Sequence, residues 1–298
     1  MENFDPEILK KLYIPSPSSH KGQNGRLMII GGSHLFHGAS LWALKVASRI
    51  VDMVFYSSIP ENNQIVLDLK KEFRDGIVVP RNRMEDYINE ADCVLIGPGL
   101  PRLEGQEKDD DDTKALTESL LKKYPEKKWV IDGGSLQAVH PVLIPHNAIL
   151  TPHEKEFEKL FFRVIPNSLA SLRSGFRDLS SGSNEMLKQV QHDKKVGEMA
   201  RKYGCTILLK GPTDIVCDKE KCVRISGGNA GMTKGGTGDV LAGLVAALYC
   251  KNDAFLSAAA SSFINKKAGE NLSKKVGYYF NASDLADEIP KIMKELLY

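Results

Sequence analysis

The stretch GRLMIIGGSHLFHGASLWALKVASRI, residues 25–50, joins a short apolar run to a longer amphipathic one through two glycines. Residues 27–30 are four consecutive apolar residues, which is typical of a strand buried on both faces. From Ala39 onward the apolar residues recur at helical spacing. The stretch therefore predicts a buried strand, a tight turn and a helix.

The same order of elements repeats along the chain. Further apolar runs stand in MVFYSS, GIVVP, ADCVLIGPGL, KKWVIDGG, HNAILTPHEKEFEKLF and CTILLKGPTDIVCDKEKCVRIS. The last of these predicts two or three strands with a tight turn, and two alanine-rich apolar helices follow it. Strands that alternate with helices predict an α/β fold, in which helices cover both faces of a mainly parallel sheet.

Length and composition narrow the class of protein. The chain has 298 residues, 42% of them hydrophobic, and a net charge of +2. This length predicts one α/β domain, or two smaller ones, and the small net charge gives no indication of nucleic-acid binding. No apolar run is long enough to cross a membrane, and the polar N-terminus lacks a signal-peptide pattern. We therefore expect a cytoplasmic protein.

The five cysteines are scattered and form no CxxC motif. This usage predicts a reducing compartment and no disulfide framework. Cys217 and Cys222 are spaced to fall on opposite strands of one hairpin, where a zinc site would need more ligands nearby.

Two segments break the alternation of strands and helices. EGQEKDDDDTK, residues 104–114, contains four consecutive aspartates and predicts a solvated loop, with a magnesium role as the alternative. Residues 163–195 are rich in serine, glycine and arginine and show little periodicity before Asn184. They predict a long surface insertion, poorly ordered in its first half.

A second glycine-rich stretch, GGTGDVLAG, leads into one of the alanine-rich helices. Unpaired backbone N–H groups at such a helix start form an anion site, which suits a phosphate. Asp239 places a carboxylate beside it, where it can take a proton from a hydroxyl that reacts with the phosphate. The alternative is that Asp239 only caps the helix. No Walker A motif occurs in the chain.

Several other polar residues follow predicted strands and should meet at one edge of the sheet, where ligands bind in such folds. These residues are Asp132, His153 and Lys210, together with the Gly97-Pro98-Gly99 turn. Each also has a structural interpretation. Asp132 and His153 could cap helices, although Asp132 could also hold water or magnesium; Lys210 could be a surface lysine, and the glycines could serve only the turn.

Several motifs of the chain together resemble those of a known family. GMTKGGTGDVLAG is similar to the C-terminal signature of the ribokinase-like superfamily. With GRLMIIGGSHLFHGAS, VLIGPGL, VIDGGSL, LTPHEKEF and LLKGPTDIV in this order, it resembles the ADP/ATP-dependent NAD(P)H-hydrate dehydratases over residues 21–270. The resemblance implies a ribokinase-like three-layer α/β/α sandwich with a mainly parallel sheet, in a single domain spanning residues 1–298.

The resemblance also implies a reaction. Members phosphorylate the ring hydroxyl of the S epimer of hydrated NADH or NADPH and then eliminate phosphate, which regenerates the cofactor. The GGTGD form, unlike the GQGD form of eukaryotic relatives, implies a bacterial or archaeal enzyme that prefers ADP to ATP. We expect Mg²⁺ with the nucleotide, and the sequence assigns it no ligands.

Matching the motifs position by position implies residue roles. The catalytic residues would be the base Asp239 and the anion-hole glycines Gly236 and Gly238. The substrate-binding residues would be Ala39, Gly99, His153, Asn229 and Asp239, with Lys234 at the same mouth. The nucleotide-binding residues would be Lys210, Gly211, Pro212, Thr213, Asp214 and Gly238.

The chain departs from the family at three places. After the strand-end acid Asp132, where the family often has an alanine and a second aspartate, this chain has the run DGGS. Thr213 comes one residue early in the nucleotide-contacting turn. Residues 163–195 are longer than the family's usual connection between the two helices that flank them. We also expect no N-terminal epimerase domain, so that a separate hydrate epimerase would act in the same pathway. A homo-oligomer is expected from the family.

Two alternative functions stay open. One is a kinase of the same superfamily acting on a vitamin precursor, such as hydroxyethylthiazole or a hydroxymethylpyrimidine. The other is a catalytically inactive relative that binds nucleotide and is disabled by the insertion.

Overall fold

One mixed sheet organises the parts of the chain that the computed structural model describes, which are residues 1–102, 105–162 and 185–298. Its strands are β1 (Glu2–Asn3), β2 (Arg26–Ile30), β3 (Met53–Ser57), β4 (Ile77–Val78), β5 (Cys93–Ile96), β6 (Lys128–Ile131), β7 (Ala148–Leu150), β8 (Thr206–Leu209), β9 (Asp214–Cys217) and β10 (Cys222–Ile225). The strand order is β1-β10-β9-β8-β7-β6-β5-β2-β3-β4. All neighbours pair parallel except β8 with β9 and β9 with β10, which confirms the mainly parallel sheet.

Helices flank this sheet. They are α1 (His37–Ala47), α2 (Pro60–Leu69), α3 (Met84–Glu90), α4 (Thr113–Lys123), α5 (Gly133–Ala138), α6 (Glu154–Phe162), α7 (Glu185–Tyr203), α8 (Thr237–Tyr249), α9 (Ala254–Val276) and α10 (Ala282–Leu297). The strand, turn and helix predicted from residues 25–50 are β2, two glycines and α1. None of the helices among the described residues has both the length and the apolarity that crossing a bilayer requires.

Alternate residues of each central strand enter two different cores. In β2, Leu27 and Ile29 pack with α1 and α8, whereas Met28 and Ile30 pack with α3 and α5 on the opposite face. All four side chains are fully buried. Because both faces are covered, the strands need apolar residues at every position, and the three-layer α/β/α sandwich is confirmed.

The two alanine-rich helices, α8 and α9, are buried in the interior of the fold. Helix α8 is buried along nearly its whole length between the sheet and α9, and small side chains such as Ala246 and Ala260 allow this close packing. A third apolar cluster joins α8 and α9 to α10, with Leu244, Ile264 and Ile289 at its centre. These alanines therefore belong to the fold of one chain.

The expectation of no disulfide is wrong at one pair. Cys217 and Cys222 lie directly opposite each other on β9 and β10, with their Cα atoms 4.1 Å apart, and a disulfide joins them. The hairpin placement expected from their spacing is thus confirmed. The other three cysteines are free and buried.

The aspartate run lies in a largely exposed loop, as its composition predicts, but its last three carboxylates are engaged in specific contacts. The carboxylate of Asp110 is 1% exposed and accepts hydrogen bonds from the backbone N–H groups of His34 and Glu107 and from His34 Nδ1, 2.8 Å away. Asp111 forms an ion pair with Arg81, and Asp112 caps α4 by accepting from the N–H of Ala115. The run therefore fastens the loop before α1 and the start of α4 to the sheet.

Asp110→Asn should destabilise the fold where Asp109→Asn does not. Burial alone would raise the pKa of Asp110, but hydrogen bonds from Glu107 and His34 outweigh it and lower this pKa. The amide nitrogen of an asparagine at position 110 would face a hydrogen-bond donor where the carboxylate accepts. We therefore expect a loss of about 1–3 kcal/mol in the free energy of unfolding. Urea melts measure this loss. The loss should be present above about pH 4, near the unfolded pKa, and vanish at lower pH as Asp110 protonates.

The control for this pair is adjacent in the chain. Asp109 is exposed, and its backbone has a positive φ of 71°, which asparagine tolerates well. Equal losses of stability in the two variants would contradict a specific role for Asp110.

The predicted insertion at residues 163–195 falls largely outside the described residues, since residues 163–184 are not among them. Its end is described, because α7 begins at Glu185 and continues to Tyr203. The surface position of the insertion stays a prediction.

Candidate active site

The carboxyl ends of β6, β7 and β8 bring three polar residues together. Asp132 follows β6, Thr151 follows β7 and Lys210 follows β8. Lys210 Nζ lies 2.9 Å from Asp132 Oδ1, and the Thr151 hydroxyl donates to the same oxygen over 2.8 Å. Asp132 stands at the start of α5, but its side chain makes no capping hydrogen bond there. Asp132 and Lys210 thus form an ion pair in which the carboxylate is buried and the ammonium is partly buried. The side chain of Asp132 therefore does not cap α5, and Lys210 is more than a surface lysine.

The glycine-rich stretch starts α8 beside this ion pair. A Cβ on Gly238 would lie 3.6 Å from Lys210 Nζ, so the first turn of the helix adjoins the ammonium group. Gly236 is the N-cap, and Asp239 is the third residue of the helix. The alternative role of Asp239 as the N-cap is therefore wrong.

Asp239 is poised to exchange a proton near neutral pH. Burial, and then the negative charge of Asp132, raise its pKa to about 7, while Lys210 opposes this shift. A carboxylate with a pKa near 7 is a far better proton acceptor at neutral pH than an ordinary aspartate. A buried acid whose pKa is raised beside a specific charged partner is a candidate functional residue.

Lys210 keeps its positive charge despite its surroundings. Burial alone would lower its pKa, but the charges of Asp132, Glu156 and Asp239 outweigh burial and raise it. An ammonium group thus stands next to the N-terminus of α8, where the helix dipole also favours an anion. This combination is suited to hold a phosphate group.

The backbone at Gly236 requires glycine. Its φ is +93°, and a Cβ there would overlap the ring of Trp42, whose Nε1 is fixed by a 3.1 Å hydrogen bond to Ser283 Oγ. The indole ring of Trp42 therefore packs against the glycine-rich loop at Gly236 and limits its conformation.

Gly236→Ala should distort this loop where Gly235→Ala does not. The substitution adds both left-handed strain and a clash with an indole ring, for an expected loss of about 1–3 kcal/mol in the free energy of unfolding and weaker phosphate binding. Gly235 is the matched control, because a Cβ there meets nothing within 4 Å. Thermal melts and steady-state kinetics on both variants measure the effects, and a fully active Gly236→Ala protein would contradict the requirement.

The predicted substrate residues Ala39 and Gly99 are brought together. Gly99 has a φ of +73°, and a Cβ on it would lie 3.0 Å from Ala39 Cβ and 2.7 Å from the carbonyl oxygen of Phe36. A Cβ on Gly97 would overlap the carbonyl oxygen of Asp132. The Gly-Pro-Gly segment is therefore more than a turn, since it packs tightly between the loop before α1 and the strand end that carries Asp132.

His153 caps α6 and stays partly accessible. Its Nδ1 accepts from the N–H of Glu156, and Glu156 Oε2 accepts from the N–H of His153, which is a reciprocal cap. Because the N–H of Lys210 donates to the neighbouring carbonyl of Pro152 over 2.8 Å, His153 is held beside the ion pair. Its side chain is 47% exposed, so capping leaves a face of the ring open to a ligand.

Asn229 and Lys234 are engaged in holding loops. Asn229 accepts from the N–H of Gly231 and donates to the carbonyl of Gly269. Lys234 donates to the carbonyls of Phe280, 2.7 Å away, and Tyr278. Their places at the mouth of the substrate site stay predictions.

The predicted nucleotide turn presents an outer face to solvent. Gly211 and Pro212 are exposed, whereas Asp214 is buried and accepts from the N–H of Gly211 and from Ser262 Oγ. Lys266 forms an ion pair with Asp214 over 3.3 Å. The buried carboxylate of Asp214 therefore fixes the conformation of the turn through these contacts on its inner side.

Sequence reasoning missed three contributors, Thr151, Glu156 and Lys266. Of these, Glu156 had a signal, because it follows His153 at the three-residue spacing of a capping box. The described residues contain no group of three or more histidine, cysteine or acidic side chains that could hold a metal ion by themselves.

Comparisons with known proteins agree with this arrangement. A family model described as NAD(P)H-hydrate dehydratase matches residues 27–291. The chain is 35% identical to the ADP-dependent (S)-NAD(P)H-hydrate dehydratase of Nitrosopumilus maritimus, over 96% of this chain and 95% of that one. It is 34% identical to the bifunctional NAD(P)H-hydrate repair enzyme Nnr of Methanocaldococcus jannaschii, over 96% of its own length, and spans about half (51%) of that relative.

Solved structures show the same fold. A ribokinase-like superfamily protein from Enterococcus faecalis has a TM-score of 0.75 and 21% identity over 99% of this chain and 96% of that one. The ADP/ATP-dependent NAD(P)H-hydrate dehydratase from Bacillus subtilis, co-crystallised with ATP and Mg²⁺, has a TM-score of 0.73 and 19% identity over 99% and 98% of the two chains. The ribokinase-like sandwich is therefore confirmed.

Proposed function

The chain belongs to the NAD(P)H-hydrate dehydratase family, and we propose that it regenerates NADH or NADPH from the S epimer of the hydrated cofactor, with ADP as phosphoryl donor. The observation that carries the proposal is the place of Asp239 in the first turn of α8, directly after the glycine that adjoins the Lys210 ammonium. Burial there raises the pKa of Asp239 to about 7. Together these groups supply a proton acceptor next to a phosphate site, which phosphoryl transfer to a hydroxyl requires.

The first step transfers a phosphoryl group. Asp239 takes the proton of the ring hydroxyl, the hydroxyl oxygen bonds to the terminal phosphorus of ADP, and AMP leaves with the electrons of the broken P–O bond. Backbone N–H groups at Gly236 and Gly238, together with Lys210, stabilise the charge on the phosphoryl oxygens. Asp132 holds Lys210 in place through the 2.9 Å ion pair.

The second step eliminates phosphate. The ring C–O bond breaks, phosphate leaves with the bonding electrons, and the neighbouring ring carbon gives a proton to water as the double bond forms. Phosphate is a better leaving group than hydroxide, which explains why the dehydration consumes a nucleotide. The anion site that bound the phosphoryl group then holds the product phosphate.

Mg²⁺ would accompany the nucleotide. The described residues form no group of three acidic, histidine or cysteine side chains that could hold the ion by themselves. Phosphate oxygens and water would therefore supply most of its ligands, as is usual for Mg²⁺ bound with a nucleotide. When bound, the ion would neutralise phosphate charge during transfer.

The deciding experiment follows absorbance at the reduced-nicotinamide band. Purified protein is mixed with the S epimer of NADH-hydrate or NADPH-hydrate, Mg²⁺ and either ADP or ATP. We expect a nucleotide-dependent rise, faster with ADP. A stable phosphorylated product without this rise would indicate a kinase of the superfamily, and nucleotide binding without any product would indicate an inactive relative.

Four further expectations belong with this proposal. A separate hydrate epimerase would supply the S epimer, and the chain would form a homo-oligomer. A cytoplasmic location and a single domain across residues 1–298 also stay predictions.

A further inference from the structure

Lys266 carries a buried ammonium group beneath the nucleotide turn. Its side chain is 7% exposed, and Nζ donates to the carbonyls of Gly211 and Pro212, each 3.1 Å away, and of Gly227, 3.4 Å away. Asp214 Oδ1 lies 3.3 Å from the same nitrogen. A buried charge is tolerated only when it is paired and hydrogen-bonded throughout, and these four oxygens meet that condition.

The contact with Pro212 fixes the direction of the next amide. In a trans peptide the C=O and the following N–H point in opposite directions, and the described residues contain no cis bond. Because the Pro212 carbonyl points inward to Lys266, the N–H of Thr213 points outward. That N–H has no hydrogen-bond acceptor among the residues that the structure describes.

Asp214 secures the other side of the turn. It accepts from the N–H of Gly211 over 2.8 Å and from Ser262 Oγ over 2.7 Å. Ser262 and Lys266 are four residues apart on α9, so they stand one turn apart on the same face of the helix. One face of α9 thus holds the turn by its carbonyl oxygens and by its carboxylate.

Lys266 also ties this turn to a second loop. Its hydrogen bond to Gly227 reaches the segment that precedes Asn229 and the glycine-rich stretch. The N–H of Gly228 is bound in turn by Glu270, which lies four residues after Lys266 on α9. The helix therefore sets the spacing between the two loops.

We infer that Lys266 is a positioning residue for the nucleotide: its ammonium holds the Pro212 carbonyl inward, so that the outward N–H of Thr213 donates to an acceptor on the bound adenine nucleotide. The inference rests on the proposed function for the identity of the ligand. The backbone donor needs no particular side chain at Thr213, whose early place in the turn is therefore compatible with binding.

The test compares nucleotide affinity in two full-length variants. Lys266→Met alone would strand the buried Asp214 charge and endanger folding, so Asp214→Asn is combined with it to remove both charges together. Asp214→Asn alone is the matched comparison, because it removes the carboxylate and keeps the contacts of Lys266 with the carbonyls of Gly211, Pro212 and Gly227. The Kd for ADP is measured by titration calorimetry, with circular dichroism and thermal melts to verify folding.

We expect the double variant to raise the Kd for ADP about tenfold or more, which is about 1.4 kcal/mol or more. Asp214→Asn alone should raise this Kd by a smaller factor. In both variants the KM for the hydrated cofactor should change less than the Kd for ADP, a split that a general loss of structure would not produce. A folded double variant with wild-type affinity would overturn the inference, as would an equal loss of affinity in Asp214→Asn alone. Calorimetry keeps the two proposals separate, because a wild-type protein that binds ADP without forming reduced nicotinamide would refute only the dehydratase function.

Discussion

Asp239→Asn should lower kcat about a thousandfold while ADP still binds. General base catalysis contributes about 10²- to 10⁴-fold, and the amide keeps nearly the same shape but cannot accept the proton. Absorbance at the reduced-nicotinamide band gives kcat, and calorimetry gives the Kd for ADP. Asp75→Asn is the control, because Asp75 is an exposed aspartate in the loop between α2 and β4.

The pH dependence identifies the group further. Since the pKa of Asp239 is raised to about 7, the protonated and inactive form predominates below that pH. The kcat/KM of the wild type should therefore fall about tenfold per pH unit below about pH 7. A profile that is flat down to pH 5 would contradict the assignment of Asp239 as the base.

Stability should change in the opposite sense to activity. The folded protein holds the Asp239 proton more tightly than the unfolded chain does, so this residue stabilises the fold below about pH 4 and the contribution is lost as pH rises through about 7. The asparagine variant has no such loss. It should melt above the wild type at pH 8, and the difference should shrink toward pH 4.

Lys210→Met should lower both stability and activity. The substitution leaves the carboxylate of Asp132, which is 3% exposed, without its cation. Breaking one side of a buried pair costs about 3–5 kcal/mol in the free energy of unfolding. We also expect a loss of about a hundredfold or more in kcat/KM, because a positive charge at the phosphate is removed. Denaturant melts and initial rates measure the two effects.

Two further variants separate the structural role of Lys210 from its catalytic role. Lys219→Met is the control, since Lys219 is an exposed lysine whose ion pair is with the exposed Glu220. Combining Asp132→Asn with Lys210→Met removes both charges and should recover much of the stability without recovering activity. Recovery of activity in the double variant would show that Lys210 has no direct role at the phosphate.

Local pattern was sufficient for the fold and for the edge of the sheet that carries the site. The apolar run at residues 27–30 reflects a strand buried on both faces, and the helical spacing after Ala39 reflects a helix buried on one face. Both patterns are local in the sequence, so they can be recognised without knowledge of distant contacts. The strand-end residues Asp132, His153 and Lys210 meet because parallel strands all end at one edge. Topology alone brought these residues together.

The sequence pattern is insufficient where a side chain's role is set by a distant partner. The position of Asp132 before a helix indicates a cap, yet its partner is Lys210, 78 residues away. The composition around Asp110 indicates a carboxylate in solvent, yet it binds His34, 76 residues away. A helical lysine such as Lys266 gives no sign that a turn 54 or 55 residues away needs its ammonium group.

The aspartate run shows how identical residues can hold different positions. Asp110, Asp111 and Asp112 contact a histidine, an arginine and a helix start in three separate parts of the chain. Deleting one aspartate gives the same sequence whichever of the four is removed, and the three that remain can still meet these partners. Deleting two would leave one of the three partners without a carboxylate, so the run can lose one residue but not two.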